Sequence, residues 1–158
     1  MMRIITAIVL ITLVACQDSD EQASGGREAI RQNLSSASLT AEPRWYRQDQ
    51  VSTGQEVFAQ NCAVCHGDRA QGLVENWRQR LPDGSFPPPP LNGSAHAWHH
   101  PLFQLIQTIE TGGVPYGGQM PAFDELLSNE EKLAAVAYFQ DFWDEEIYLS
   151  WVDRGGLD

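Results

Sequence analysis

The sequence predicts an all-α fold, and three observations carry that expectation. Residues recur at helical spacing in three stretches: Gly54, Phe58 and Cys62; then Leu102, Leu105, Ile106 and Ile109; then Ala134, Tyr138 and Phe142. No run alternates with period two or carries the Val/Ile density of a buried parallel strand. The connections are rich in proline and glycine, and four consecutive prolines, Pro87 to Pro90, exclude helix or central strand and favour polyproline II.

The length of 158 residues allows one domain, or one domain plus a tail. A formal net charge of −11 argues against nucleic acid as a partner. It favours a self-repelling surface that meets a basic patch on another protein. Lys132 is the only lysine.

Arg3 reads as a short positive region, and Ile4 to Val14 as an apolar stretch too short to span a bilayer. It ends in Leu13-Val14-Ala15-Cys16, which resembles the lipobox of bacterial lipoproteins. That resemblance implies a signal peptide of residues 1–15, cleaved before Cys16, and lipid on Cys16. Removing Arg3 leaves 9 basic against 21 acidic residues, a net of −12. Residues 16–43 are polar and poor in aromatics, and read as a flexible tether with a short helix at Ala29 to Leu34.

The packed region is expected to begin at Arg44-Trp45-Tyr46, because adjacent aromatics belong against a domain. A first helix is expected from Ser52 to Cys65, with Thr53 and Glu56 at capping-box spacing. Gly67 to Gly93 is a long irregular stretch punctuated by Trp77, Leu81, Phe86 and Leu91, and is expected along the edge of the functional site. A helix follows from Pro101 to Thr111, ended by Gly112-Gly113. Val114 to Phe123 forms an open loop. The last helix is expected from Ser128, with Glu131 completing a capping box, to Trp143. Residues 144–158 read as an acidic tail whose Ile147, Tyr148 and Trp151 fold back over the domain.

The chemistry centres on Cys62-Ala63-Val64-Cys65-His66, a spacing that reads as covalent attachment of c-type haem. Residues i and i+3 of a helical turn share a face, so both thiols can add to the two vinyl groups of one porphyrin. His66 follows at once and can serve as proximal iron ligand. A tetrahedral zinc site needs four ligands, and a second Cys pair is missing. A dithiol redox site would need βαβ surroundings. Met120, the only methionine after signal cleavage, sits in a Gly-rich loop before Pro121 and is the candidate sixth ligand. The plainer alternative is a methionine filling a gap in the core.

Residues 44–143 resemble a class I cytochrome c, through Gly54-x-x-x-Phe58-x-x-x-Cys62-x-x-Cys65-His66, Pro89-Pro90-Leu91, Met120-Pro121-Ala122-Phe123 and the terminal helix bearing Tyr138. The resemblance implies a small domain of three to four helices wrapped round one covalently attached haem c. It also implies a close crossing of the first and last helices, with Gly54 and Phe58 against Ala134 or Ala135 and Tyr138. It assigns the carbonyl of Pro89 as acceptor for the His66 imidazole, though four prolines leave Pro88 and Pro90 as other registers. By position, Trp98 donates its indole N–H to a haem propionate. Three features depart from the family pattern: the longer 67–86 connection, the His96/His99/His100 cluster, and the acidic tail.

The expectation is a membrane-tethered periplasmic monohaem cytochrome c, with no substrate chemistry of its own. It carries single electrons between a donor and an acceptor protein, or serves as a subunit of a larger oxidoreductase. Two alternatives stand beside it. One is a small-ligand sensor or catalytic subunit with a displaceable Met120; the other is copper or zinc handling by His96, His99 and His100.

Overall fold

The computed structural model describes residues 43–158. The expected signal peptide, the lipidation site Cys16, the tether and the short helix at 29–34 lie outside the described residues.

Among the described residues the regular elements are all helical. Helix α1 spans Gln48–Asn61 and is followed by one turn, α2, Ala63–His66. Helix α3 spans Leu102–Thr111, α4 spans Asn129–Gln140, and α5 spans Glu145–Asp153. Two short 3₁₀ turns, Ala97–His99 and Val114–Tyr116, interrupt the loops.

Helix α1 starts four residues earlier than its polar sequence suggests. Arg47 caps it, and the Gln50 side chain reaches back to the Arg47 amide at 3.0 Å. The hydroxyls of Ser52 and Thr53, expected at the cap, instead donate to the carbonyls of Gln48 and Asp49 from inside the helix. The helix also does not run through to Cys65. It breaks at Cys62, whose φ of −116° leaves the helical range, and α2 restarts beyond it.

Helices α1 and α4 cross so closely that a Cβ on Gly54 would overlap the carbonyl of Ala134. Glycine is therefore needed for approach, not for backbone freedom. Phe58, one turn on, is buried and packs 5.1 Å from the Tyr138 ring. Ser128 caps α4 with the expected reciprocal pair: its hydroxyl accepts from the Glu131 amide, and the Glu131 carboxylate accepts from the Ser128 amide. Helix α4 ends at Gln140, three residues short of the expected Trp143. Pro101 sits at the cap of α3, just outside the helix where it was expected, and Leu105 and Ile109 bury the apolar stripe.

The acidic tail is a helix. Asp144 caps α5 by accepting from the Ile147 amide, and Glu145 and Glu146 lie in the first turn, where carboxylates suit the helix dipole. Tyr148 and Trp151 are among the most buried side chains of the domain. Trp151 donates its indole N–H to the His100 carbonyl at 2.8 Å, and the Leu102 amide donates to the Gly156 carbonyl at 2.7 Å. Arg44 and Trp45 are fixed against the same end: Trp45 N–H donates to the Tyr148 hydroxyl at 2.9 Å.

Candidate haem site

The turn α2 places the pentapeptide at the end of α1. The Cys65 amide donates to the Cys62 carbonyl at 3.1 Å, and the His66 amide to the same carbonyl at 2.9 Å. That turn sets Cys62 and Cys65 on one side, both beside a cavity of about 900 Å³. Cofactor pockets span about 300–1,000 Å³, so this one has the volume of a large ligand. Cys62, Cys65, His66 and Met120 all line it, among mainly apolar neighbours such as Phe58, Ile109 and Phe139.

The His66 ring is buried, and its Nδ1 lies 3.0 Å from the Pro89 carbonyl. A carbonyl can only accept, so Nδ1 carries the hydrogen and Nε2 keeps its lone pair. Burial pushes the imidazole below the ordinary histidine range, and the Pro89 contact opposes this. The side chain is thereby held neutral, the form in which it can bind a metal. Burial, aided by Cys65, raises the Cys62 thiol to about 11, so it stays protonated at neutral pH.

Pro89 reaches His66 through a device the sequence did not announce. Ala70, with φ of 55°, adopts a left-handed conformation rare outside glycine. Its carbonyl then accepts from Leu91 N–H at 2.7 Å and Asn92 N–H at 3.2 Å. Trp143 donates its indole N–H to the Leu91 carbonyl at 2.7 Å. These bonds fix the end of the proline run and select Pro89 among the three possible registers.

Met120 stands across a second built loop. Gly112, with φ of 78°, lies against it: a Cβ there would sit 2.6 Å from the Met120 carbonyl. The Gly113 amide donates to that carbonyl at 3.0 Å, and Phe123 N–H ties back to Ile109. From the 67–86 stretch, Asp83 and Ser85 accept from the Gln119 amide side chain. Phe86 N–H donates to the Gly117 carbonyl at 2.8 Å.

Trp98 is placed elsewhere. Among the described residues it is not part of the cavity wall; it is half-buried beside His99, with the Arg154 guanidinium 4.9 Å over its ring. Its expected role at a propionate came from position alone, and the 3₁₀ turn at 97–99 directs it toward the end of α5. Trp77, Arg78, His96 and His100 line the cavity instead. No local periodicity marks them, because the long loop brings them together across some twenty residues. His96 and His100 do share a face, with ring centroids 5.4 Å apart.

Two thiols on one turn, a neutral imidazole with a free Nε2, and a thioether line one apolar cavity, and this donor set fits haem c. The family model described as "Cytochrome C oxidase, cbb3-type, subunit III" matches residues 49–139. The chain is 51% identical over 95 residues to "Cbb3-type cytochrome c oxidase subunit CcoP" of Rhodobacter capsulatus, covering 56% of this chain and 28% of that protein. It is 36% identical over 85 residues to "Cbb3-type cytochrome c oxidase subunit FixP" of Azorhizobium caulinodans, covering 54% and 25%. A FixP subunit of Sinorhizobium medicae is 32% identical over 121 residues, covering 73% and 37%. The chain thus spans roughly a quarter to a third of the curated relatives it matches. No solved structure matches the chain. It binds haem c covalently and belongs to the cbb3-type cytochrome c oxidase subunit III family, as a monohaem class I cytochrome c domain.

Proposed function

We propose that this domain transfers single electrons to or from other subunits of a cytochrome c oxidase of the cbb3 type. The observation that carries the reading is the meeting of Cys62, Cys65, His66 and Met120 on one cavity, within the segment that matches that family. When bound, haem c supplies an iron that cycles between ferrous and ferric states.

The roles of the chain's own residues follow. Cys62 and Cys65 hold the cofactor as thioethers. His66, oriented by the Pro89 carbonyl, would hold the iron through Nε2. Met120 would hold it through its sulfur, and the loop ties at Gly113, Gly117 and Gln119 limit the departure of that side chain. The apolar wall excludes water and favours the less charged ferrous state.

The relatives are themselves named as oxidase subunits, and this reading places another subunit of such an oxidase ahead of a freely diffusing donor or acceptor. With a net charge of −11 the docking surface on the partner is basic, and raising salt slows electron transfer. Lipid on Cys16 and a position on the periplasmic face of a membrane belong to the same proposal, supported by the lipobox-like Leu13-Val14-Ala15-Cys16. Among the described residues no helix is long and apolar enough to cross a membrane. Among them, too, no group of three or more His, Cys, Asp and Glu side chains gathers to hold a metal ion.

The test is spectroscopic. Haem stays with the polypeptide through denaturing electrophoresis, and Cys62→Ser with Cys65→Ser abolishes this. Ferric protein shows the weak far-red band of iron–thioether charge transfer, ferrous protein binds carbon monoxide slowly, and Met120→Ala removes the band and opens the iron. Rapid carbon monoxide binding by the wild type, with no far-red band, favours the sensor or catalyst instead.

A further inference from the structure

The cavity has one polar corner that the covalent and axial attachments do not use. The His96 ring stacks on Trp77, with centroids 4.8 Å apart and planes at 19°, and the edge of His100 closes on it at 5.4 Å. Its Nδ1 is buried and has no hydrogen-bond partner among the described residues. A buried nitrogen left unpaired is destabilising, so a partner is expected there. Trp77, Arg78, His96 and His100 all face the cavity.

The groups that act on His96 are all of basic type. Burial, then His100, His99 and Arg78, push its imidazole below the ordinary histidine range. A corner that concentrates N–H donors and positive character, with no protein acceptor on the buried Nδ1, calls for an anionic acceptor from the ligand. Haem c carries two carboxylates and no other anionic group.

We propose that His96, fixed between Trp77 and His100 and flanked by Arg78, is the carboxylate-binding end of the haem cavity and donates Nδ1–H to a haem propionate. The proposal rests on the haem reading above and deepens it. Arg78 supplies a permanent charge, and its guanidinium lies 4.3 Å over the ring of Trp77. A carboxylate at His96 offsets the burial and the neighbouring basic groups, and so returns the imidazole toward the titration range near neutral pH. His96 then couples a proton to the electron. Ferric iron carries one more positive charge than ferrous iron and weakens proton binding at His96, so the reduction potential falls as pH rises.

The experiment measures the midpoint potential of purified holoprotein between about pH 5 and 8 in carboxylate-free buffer. Wild type is expected to show a falling potential across this range. His96→Phe keeps a ring to stack on Trp77 but has no N–H and no titration, and its potential is expected to be independent of pH. Full haem content with the wild-type slope in His96→Phe overturns the proposal. Added acetate is expected to leave the wild-type potential unchanged; a shift would assign the corner to a free carboxylate and overturn the propionate assignment. If His96→Phe yields no holoprotein, ¹⁵N-histidine NMR of ferrous wild type decides. A slowly exchanging Nδ1–H on His96 supports the proposal, and its absence overturns it. A chain that releases its haem on denaturing electrophoresis would fail the electron-transfer reading itself, which is a different result from a holoprotein whose potential ignores His96.

Discussion

Gln119, the residue before Met120, donates its side-chain amide to the Asp83 carboxylate at 2.5 Å and to the Ser85 hydroxyl at 2.9 Å. The connection that is longer than the family pattern is therefore a strut for the proposed ligand loop. Ser85 also donates its hydroxyl and amide to Asp83, and these bonds, followed by Gln119, hold the Asp83 carboxyl below the usual carboxylate range. The contribution of a depressed carboxylate is full above its unfolded pKa of about 3.9 and is lost as pH falls through the lower folded value. The strut therefore stays intact at neutral and mildly acidic pH. Asp83→Ala is expected to speed carbon monoxide binding to ferrous protein with little change in haem content, and stopped-flow mixing reads the difference.

Gly54→Ala tests the crossing of α1 and α4. Alanine normally gains about 0.5–1 kcal/mol over glycine inside a helix. Here its Cβ overlaps the Ala134 carbonyl, and backbone cannot rotate away as a side chain can. Overpacking of this kind costs about 1–3 kcal/mol, so the clash outweighs the propensity gain. The denaturant midpoint of the holoprotein should fall.

Trp151 tests whether residues 144–158 are integral to the fold. The side chain is 1% exposed and spends its indole N–H on His100. Trp151→Ala is expected to cost about 3–5 kcal/mol. Trp151→Phe restores most of the packing but leaves the His100 carbonyl short of a donor, a loss of about 1–3 kcal/mol. Thermal unfolding of both variants should rank them in that order; equal and small effects would show that the segment adds little to the fold.

Lys132 gives a pH test far from the cavity. Its side chain is 3% exposed, and its ammonium bonds Glu110 at 2.9 Å and Asp124 at 3.1 Å. The bond to Glu110, opposed by burial and aided by Asp124, raises its pKa. A raised lysine contributes stability that is complete below its unfolded value of about 10.4 and is lost as pH climbs through the folded value. Melting temperatures of wild type and Lys132→Met should therefore differ at neutral pH and converge in strong alkali.

Much of this was legible in the sequence, for local reasons. The stripe of Gly54, Phe58 and Cys62 depends only on helical spacing, and Ser128 with Glu131 is a cap written in four residues. The start of α1 was not legible, because Arg47 uses a reciprocating Gln50 in place of a hydroxyl cap. The packing of Ile147, Tyr148 and Trp151 against the domain was legible, but not the helix that carries them; Glu145 and Glu146, which read as an acidic tail, lie in its first turn. The register at Pro89 hangs on a left-handed alanine, a conformation that alanine does not advertise. Trp77 and His96 meet only through loop tertiary structure, which no short window of sequence contains.

The bonds between Arg44-Trp45 and the last two helices have a mechanical meaning. Arg44 donates to the Trp143 carbonyl at 3.0 Å, Trp45 N–H to Tyr148, and Trp45 Nε1 to Gln140 at 2.6 Å. A pull on the backbone just ahead of Arg44 is shared among three bonds before any strain reaches α1 and the turn bearing the cysteines. They make a strain relief, as a clamp does on a cable where it enters a housing. The load passes into Trp143 and Tyr148, and Trp143 is also the residue that steadies Leu91 behind Pro89. Load carried on through Trp143 and Leu91 would bear on the Pro89 carbonyl and on the His66 imidazole that donates to it.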